Sequence, residues 1–488
     1  MSRSARNIRS DARSTGIEGA RTVARRCAVV VTALFLLAQG GTIHASGFTL
    51  PPPERYTLEN GLEVILQQDL RQPTVAVVMS YRVGSRDDPA GYAGLAHMVE
   101  HMTFRGSRHL EPLQMLSALE RAGARDANAA THPDWTAFYS VLPASQVPLA
   151  LWLESERMAF TLEAMTQEGF ELEREVVRNE RRQRGGLGSR VPDFVNHALY
   201  PQGHVYHAVA SDETAEETFT LDHVRWFYQH WYRPDTATLT LVGSFDPDRA
   251  RAEIAQYFGP IRAPTAAPPR APAPVVGLVG QAQLDVWLDD RRDRVSIAWS
   301  APCVIAECGA ELLMLESVLV GTSESPLESA LVGRGKPASA ISLDISPYET
   351  HTRVTLDVDV ALGEDPKRVV AVTDRILGDL RGAVSEAELR GARIALATHL
   401  TAAFEPLLSR AFALTHYRLP GRAGTLYDPA VQLERVDAFA LSDLEDAARR
   451  YLPLDRRVVV YQRQRRGAAG EGELGRVVGR ALPAQDAR

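Results

Sequence analysis

Two histidines and a glutamate stand together at His97, Glu100 and His101, in the order H-x-x-E-H. On a helix, residues four apart lie one turn above each other on the same face. Both imidazoles can therefore present a ring nitrogen to one cation, and Zn2+ is the ion that such a pair suits. Glu100, one residue before the second histidine, lies beside the pair and angled away from it. From there a carboxylate can take a proton from a metal-activated water and return it to a leaving amine. The order is the reverse of the commoner H-E-x-x-H, and the same metal chemistry follows from it.

Two imidazoles do not complete such a site. Catalytic zinc takes three protein ligands and keeps one position open, so a carboxylate from another helix is expected. The segment Glu173-Arg174-Glu175-Val176-Val177-Arg178-Asn179-Glu180 offers it. Glu173 and Glu180 are two helical turns apart and share a face, so that one can bind the metal while the other supports a ligand imidazole. Alone, this run of Glu and Arg describes a solvated helix face; the upstream motif is what gives it a second meaning. His109, His132, His204 and His207 lack the spacing of a metal pair.

The elements that must position these residues read as strands and helices mixed along the chain. Glu63–Gln67 and Thr74–Arg82 read as strands, and a turn then leads to a helix holding Leu95–Met102. Later, Ala282–Leu288 and Arg294–Trp299 read as strands, followed by a loop and a helix over Glu311–Leu319. The repeated pattern predicts two related α+β domains. Further helices are expected at Leu113–Ala122, Ala144–Phe160 and Thr166–Arg182. Further strands are expected at Thr136–Leu142, Thr236–Val242, Val354–Val360 and Arg457–Tyr461. The Pro- and Ala-rich stretch 263–275 reads as a semi-extended linker between a first domain, 46–262, and a second, 276–464. Residues 465–488 read as a disordered tail.

Residues 1–45 do not belong to this pattern. A basic segment ends at Arg25-Arg26, an eleven-residue apolar run covers Ala28–Ala38, and small and polar residues follow through Ser46. That is the layout of a secretory signal peptide. The run is shorter than the about 20 residues that span a bilayer, so cleavage and a periplasmic or secreted product are expected, with an uncleaved anchor as the alternative. The 488-residue chain carries a net charge of −7, and without the seven Arg, Asp11 and Glu18 of this segment about −12. That balance argues against a nucleic-acid partner. Cys303 and Cys308 are then the cysteines left. In an exported chain they are disulfide candidates, the alternative being two thiols, one of them buried.

Taken together these segments resemble the pitrilysin family of zinc metallopeptidases, especially its shorter members, such as the mitochondrial processing peptidase β subunit and exported bacterial relatives. The matching pieces are Gly94–Gly106, Asn128-Ala129-Ala130-Thr131 with Asp134, Thr136 and Tyr139, Leu151–Met158, Glu173–Glu180 and Val242-Gly243. The resemblance implies an α+β fold of two homologous α/β-sandwich domains, forming half-shells around a peptide chamber. It implies that His97, His101 and Glu180 bind zinc, that Glu100 is the general base, and that Glu173 supports the site. Asn128, Ala129 and Ala130 match the edge strand on which substrate lies, where main-chain pairing gives affinity with little sequence preference.

One departure from the family pattern has a consequence. The second domain of single-chain members, or of zinc-free partner subunits, carries an Arg and, seven residues on, a Tyr that donate to the substrate and the developing oxyanion. Aligned on Gly335, this chain has Leu331 and Ala338 at those places. Arg334 is out of register, the nearest tyrosine is Tyr348, and Arg410 and Tyr417 have the spacing but fall in a later predicted helix. The resemblance therefore implies an endopeptidase for short or unfolded peptides that is the zinc-bearing subunit of a heterodimer, its partner a homologous zinc-free chain with the Arg/Tyr pair. The alternative is a non-catalytic scaffold subunit that retains the zinc motif.

Overall fold

The computed structural model describes residues 51–183, 191–207, 218–262, 269–275, 280–288, 292–417 and 429–464. The expected signal peptide, the first part of the Pro/Ala stretch and the C-terminal tail lie outside them. No helix among the described residues is long and apolar enough to cross a membrane.

The first half runs β1 (Glu54–Thr57), β2 (Glu63–Gln68), β3 (Thr74–Tyr81), α1 (Leu95–Met102), α2 (Gln114–Arg121), β4 (Arg125–Thr131), β5 (Thr136–Pro143) and α3 (Val147–Ala159). It continues with α4 (Gln167–Gln183), α5 (Val191–Leu199), α6 (Leu221–Trp231), β6 (Ala237–Gly243) and α7 (Pro247–Phe258). The sheet has the order β1-β2-β6-β3-β5-β4, with β2 and β6 parallel and the other neighbours antiparallel. Strand β3, TVAVVMSY, is apolar almost throughout because it is buried on both faces. Val75, Val77 and Met79 point to one side, where α1, α3, α6 and α7 pack; Ala76 and Val78 point to the other.

The second half runs β7 (Ala282–Leu288), β8 (Arg294–Ala301), α8 (Ile305–Val320), α9 (Pro326–Leu331), β9 (Ala338–Pro347) and β10 (Thr352–Val360). It continues with α10 (Pro366–Gly378), α11 (Glu386–Phe404), α12 (Leu407–His416), α13 (Pro429–Asp437), α14 (Leu441–Tyr451) and β11 (Val458–Gln464). Its sheet has the order β7-β11-β8-β10-β9, again with one parallel pair, β7 and β11. Leaving out β1, the two sheets match strand for strand in order and sense. The chain is a structural repeat of mixed helices and sheets.

The halves are joined by exchanged helices. Val195 and Leu199 of α5 pack on Val286, Ala298, Val458 and Val460 of the second sheet. In return Leu407, Ala411 and Leu414 of α12 pack on Ile65, Ala76, Val78 and Val242 of the first. Helix α12 therefore lies on the opposite face of the first sheet from α1. Arg410 on α12, 1% exposed, forms an ion pair with Asp69 at the end of β2, which is 5% exposed. Arg410, the first member of the Arg410–Tyr417 spacing, is thus engaged with Asp69, and Tyr417 lies just past the end of α12 and not within it. The described part of the Pro/Ala stretch is tied down as well: Arg270 donates to Asp87 (2.9 Å) and Glu349 (2.6 Å), and the Ala271 carbonyl accepts from Arg86. Cys303, after β8, and Cys308, in the first turn of α8, are joined by a disulfide with their Cα atoms 6.1 Å apart.

Because Asp69→Ala leaves a guanidinium buried without its counter-charge, it is expected to lower unfolding free energy by about 3–5 kcal/mol. Replacing both partners, Asp69→Leu with Arg410→Met, is expected to recover most of that loss. Denaturant titration of the three proteins checks both statements.

Candidate active site

Helix α1 has eight residues, LAHMVEHM, and divides them sharply. Leu95, Ala96, Met98, Val99 and Met102 enter the core, while His97 and His101 emerge beside one another. Its ends are fixed from outside. Gly94 precedes it with φ +96°, a left-handed conformation that glycine adopts without a Cβ clash. The Asp88 carboxylate accepts from the amides of Gly94 (2.7 Å) and Ala96 (2.8 Å), which have no partner within the helix. At the other end Thr103 Oγ1 donates to the Glu100 carbonyl (2.7 Å) and accepts from Arg157 Nη1 (2.9 Å). Arg157 is itself buried, paired with Glu154 (3.0 Å) and lying 4.0 Å from the centre of the Phe138 ring. The Leu151–Met158 segment thus places a buried cation at the negative end of α1.

The imidazoles of His97 and His101 meet edge to face, centroids 4.7 Å apart. Helix α4 packs over them with Phe170, Glu173, Val177 and Glu180 at spacings of three, four and three, a single helical stripe. Glu173 Oε2 lies 3.1 Å from His101 Nδ1, and Arg105 Nη1 donates to its other oxygen at 3.4 Å. A carboxylate there keeps the proton on Nδ1 and leaves Nε2 with a lone pair. Glu180 Oε2 lies 3.8 Å from His101 Nε2 and 4.0 Å from His97 Nε2. Ligand atoms held tetrahedrally at about 2.0–2.1 Å from one zinc ion are about 3.3 Å apart. The two Glu180–imidazole distances are slightly longer than that, and two imidazoles with one carboxylate are the donor types that suit zinc. Donor atoms of His97, Glu100 and His101 also fall within 4.8 Å of one another. Of the two carboxylates, Glu180 Oε2 faces both Nε2 atoms, and Glu100 has an engagement of its own.

That engagement is with Thr131, the last residue of β4, whose Oγ1 donates to Glu100 Oε2 at 2.5 Å. Burial raises the pKa of the Glu100 carboxyl; the Thr131 hydrogen bond and the His101 charge work against this, the Glu180 charge reinforces it, and the net shift is upward. For His101, burial works to lower the pKa, but the Glu173 hydrogen bond and the charges of Glu100 and Glu180 outweigh it. The site is an anionic pocket that favours a cation.

Strand β4 pairs with β5 and forms one edge of its sheet. Asn128 is exposed on it and Ala129 and Ala130 are half-buried, beyond an irregularity at which Asp126 takes φ +52°. The other histidines stay apart: His109 binds Glu156, His132 stacks on Trp135, and His204 and His207 bind the Pro274 and Tyr200 carbonyls. In the second half Leu331 and Ala338 are fully buried among apolar side chains, and Arg334 is exposed on the loop between them. Sequence reasoning did not assign roles to Asp88, Thr103, Thr131 or Arg157. The signal for Thr131 is its place in the segment Asn128-Ala129-Ala130-Thr131.

Residues 63–212 match the family described as Insulinase (Peptidase family M16), and residues 218–396 match its companion, Peptidase M16 inactive domain. The chain belongs to the M16, or insulinase, family of peptidases. It is 28% identical over 233 residues to "Zinc protease PqqE" of Helicobacter pylori, covering 47% of this chain and 51% of that one. It is 26% identical over 211 residues to "Probable mitochondrial-processing peptidase subunit beta" of Schizosaccharomyces pombe, covering 43% and 46%. The chain thus spans about half the length of the curated relatives it matches. Among solved structures it resembles a protease from Helicobacter pylori, with TM-score 0.78 and 22% identity over 85% of this chain and 100% of that one. It also resembles the periplasmic protease PqqL from Escherichia coli, with TM-score 0.67 and 18% identity over 85% and 48%. The fold is that of the family, and relatives of this chain are named zinc proteases.

Removing the support behind His101 tests the arrangement. Glu173→Ala is expected to weaken zinc binding by roughly 10- to 100-fold while the protein stays folded, measured by competition with a chelator of known affinity.

Proposed function

We propose that this chain is a zinc-dependent endopeptidase that hydrolyses short or unfolded peptides after export, and that it is the zinc-bearing member of a heterodimer. The observation that carries the reading is the convergence of His97 Nε2, His101 Nε2 and Glu180 Oε2 beside a buried carboxylate and an open strand edge. His97, His101 and Glu180 would hold the ion, and Glu173 would fix the His101 ring. Zinc bound there supplies a Lewis acid for the scissile carbonyl and makes a water acidic enough to lose a proton near neutral pH. Glu100 does the proton work. With Oε2 occupied by Thr131, its other oxygen can accept the proton of the attacking water and pass it to the leaving amine nitrogen. Burial raises its affinity for that proton, which suits a group that must hold it briefly. The outer edge of β4, at Asn128, Ala129 and Ala130, can take an extended peptide as an added strand.

Two features support a partner. Neither Leu331 nor Ala338 has a polar side-chain atom to offer an oxyanion, and α12 of the second half is stacked on the far face of the first sheet from α1. Donors for the transition state would then come from another chain. Export is supported by the layout of residues 1–45 and by a structural neighbour described as periplasmic.

The test is peptide hydrolysis by the purified zinc-loaded chain, alone and with homologous zinc-free subunits. About one zinc per chain, weak cleavage alone and strong cleavage with a partner are expected, since one lost oxyanion donor costs about 10²–10³ in turnover. Glu100→Gln should keep the zinc and lose about 10²–10⁴ of the partnered rate. Vigorous cleavage by a monomer removes the partner requirement. Zinc retention without cleavage beside any partner favours the scaffold reading, which the apolar Leu331 and Ala338 also admit.

A further inference from the structure

A glutamate has three rotatable side-chain bonds, and a general base works only while one oxygen stays within hydrogen-bond reach of the proton it takes. At Glu100 the backbone end is fixed by Thr103, whose hydroxyl donates to the carbonyl and accepts from Arg157. That leaves the carboxylate end. Glu100 is 8% exposed, and among the described residues the side-chain hydrogen bond to its carboxylate comes from Thr131, at 2.5 Å. Burial restricts where the carboxylate can go but does not select which oxygen faces the histidines. A short, directional bond from a hydroxyl does.

We propose that Thr131 is the positioning residue for Glu100: its hydroxyl occupies Oε2 and so presents the other oxygen to the reacting water. The inference rests on the hydrolase reading above. Thr131 is also the last residue of β4, paired with Thr136 of β5 and three residues from Asn128. A peptide that adds to the outer edge of β4 is bonded to the strand that orients the base. Substrate docking and base alignment therefore share one element. A bound chain that stiffens β4 also stiffens the Thr131 hydroxyl, so peptides long enough to lie along Asn128–Thr131 should turn over faster than truncated ones. Because the hydroxyl touches the base and not the substrate, its loss should appear in kcat and spare KM.

The experiment compares Thr131→Val, which keeps the shape and removes the hydroxyl, with Thr131→Ser, which keeps the hydroxyl. Each is loaded with zinc and assayed under the conditions that give the best wild-type rate. Zinc content is expected to be unchanged in both. Thr131→Val should lose roughly 10- to 100-fold in kcat, the range for a hydrogen bond to a charged group, with KM altered by less than about three-fold. Thr131→Ser should stay near the wild-type kcat. Crystal structures of the zinc-loaded proteins give a readout free of turnover. Glu100 should hold one rotamer in the wild type and in Thr131→Ser, and more than one in Thr131→Val. Full kcat in Thr131→Val, an unchanged single rotamer there, or loss of zinc from it would each overturn the proposal. If the wild type cleaves no peptide under any condition, the hydrolase reading fails, and the rotamer comparison still decides whether Thr131 orients Glu100.

Discussion

An eight-residue helix cannot hold itself in water. Isolated helices shorter than about 12–15 residues are marginal even for favourable sequences, and α1 carries both imidazoles of the proposed zinc site. It holds because buried polar groups grip it at several points. Asp88 satisfies its first amides, the Arg157–Thr103 pair satisfies its last turn, Glu173 fixes one imidazole and Thr131 fixes the glutamate. These partners come from a loop, from α3, from α4 and from β4. The surrounding sheet and helices can thus be seen as the means of bringing Arg157, Glu173 and Thr131, all distant in sequence, to one short helix already capped by Asp88.

The second half shows what the same scaffold is without that demand. Its α8 occupies the place of α1, is twice as long and buries a nearly continuous apolar face, including Leu312, Met314, Leu315, Val318 and Leu319. Matching Phe170 and Val177 of α4 with Leu389 and Leu396 of α11 puts Ala392 and His399 opposite Glu173 and Glu180. Arg174 and Arg393, which correspond, both donate to a backbone carbonyl, of Phe219 and Asp437. The packing is shared and the carboxylate pair is not. The exchange of α5 and α12 then makes each half a wall for the other, with the buried Arg410–Asp69 pair setting how α12 seats.

Much of this was legible in the sequence, for physical reasons that also mark where legibility stops. The strands around β3 and β6 announce themselves because both of their faces are buried. The spacing of His97 and His101, and of Glu173 and Glu180, is fixed by helical geometry alone. Strand β9, ASAISLDISP, carries no clear strand signal in the sequence, because serines on an edge blur its alternation. Helix α8 begins at Ile305, six residues before the expected Glu311, because the segment holding the disulfide looked like loop. The exchange of α5 and α12 is invisible to periodicity, which shows that a helix has an apolar face but not which sheet receives it. Glu154 and Arg157 sit in a run that looks solvated, and only the fold reveals that they neutralise each other beneath α1.

The proposed function turns on the binding of a single zinc ion by two imidazoles from α1 and one carboxylate from α4. X-ray absorption at the zinc edge of the metal-loaded chain addresses it directly. Expected are a first shell of nitrogen and oxygen at about 2.0–2.1 Å with the outer-shell scattering of two imidazoles, and a changed shell or lost metal in Glu180→Ala. A sulfur shell, fewer than two imidazoles, or a spectrum that Glu180→Ala leaves untouched would contradict it.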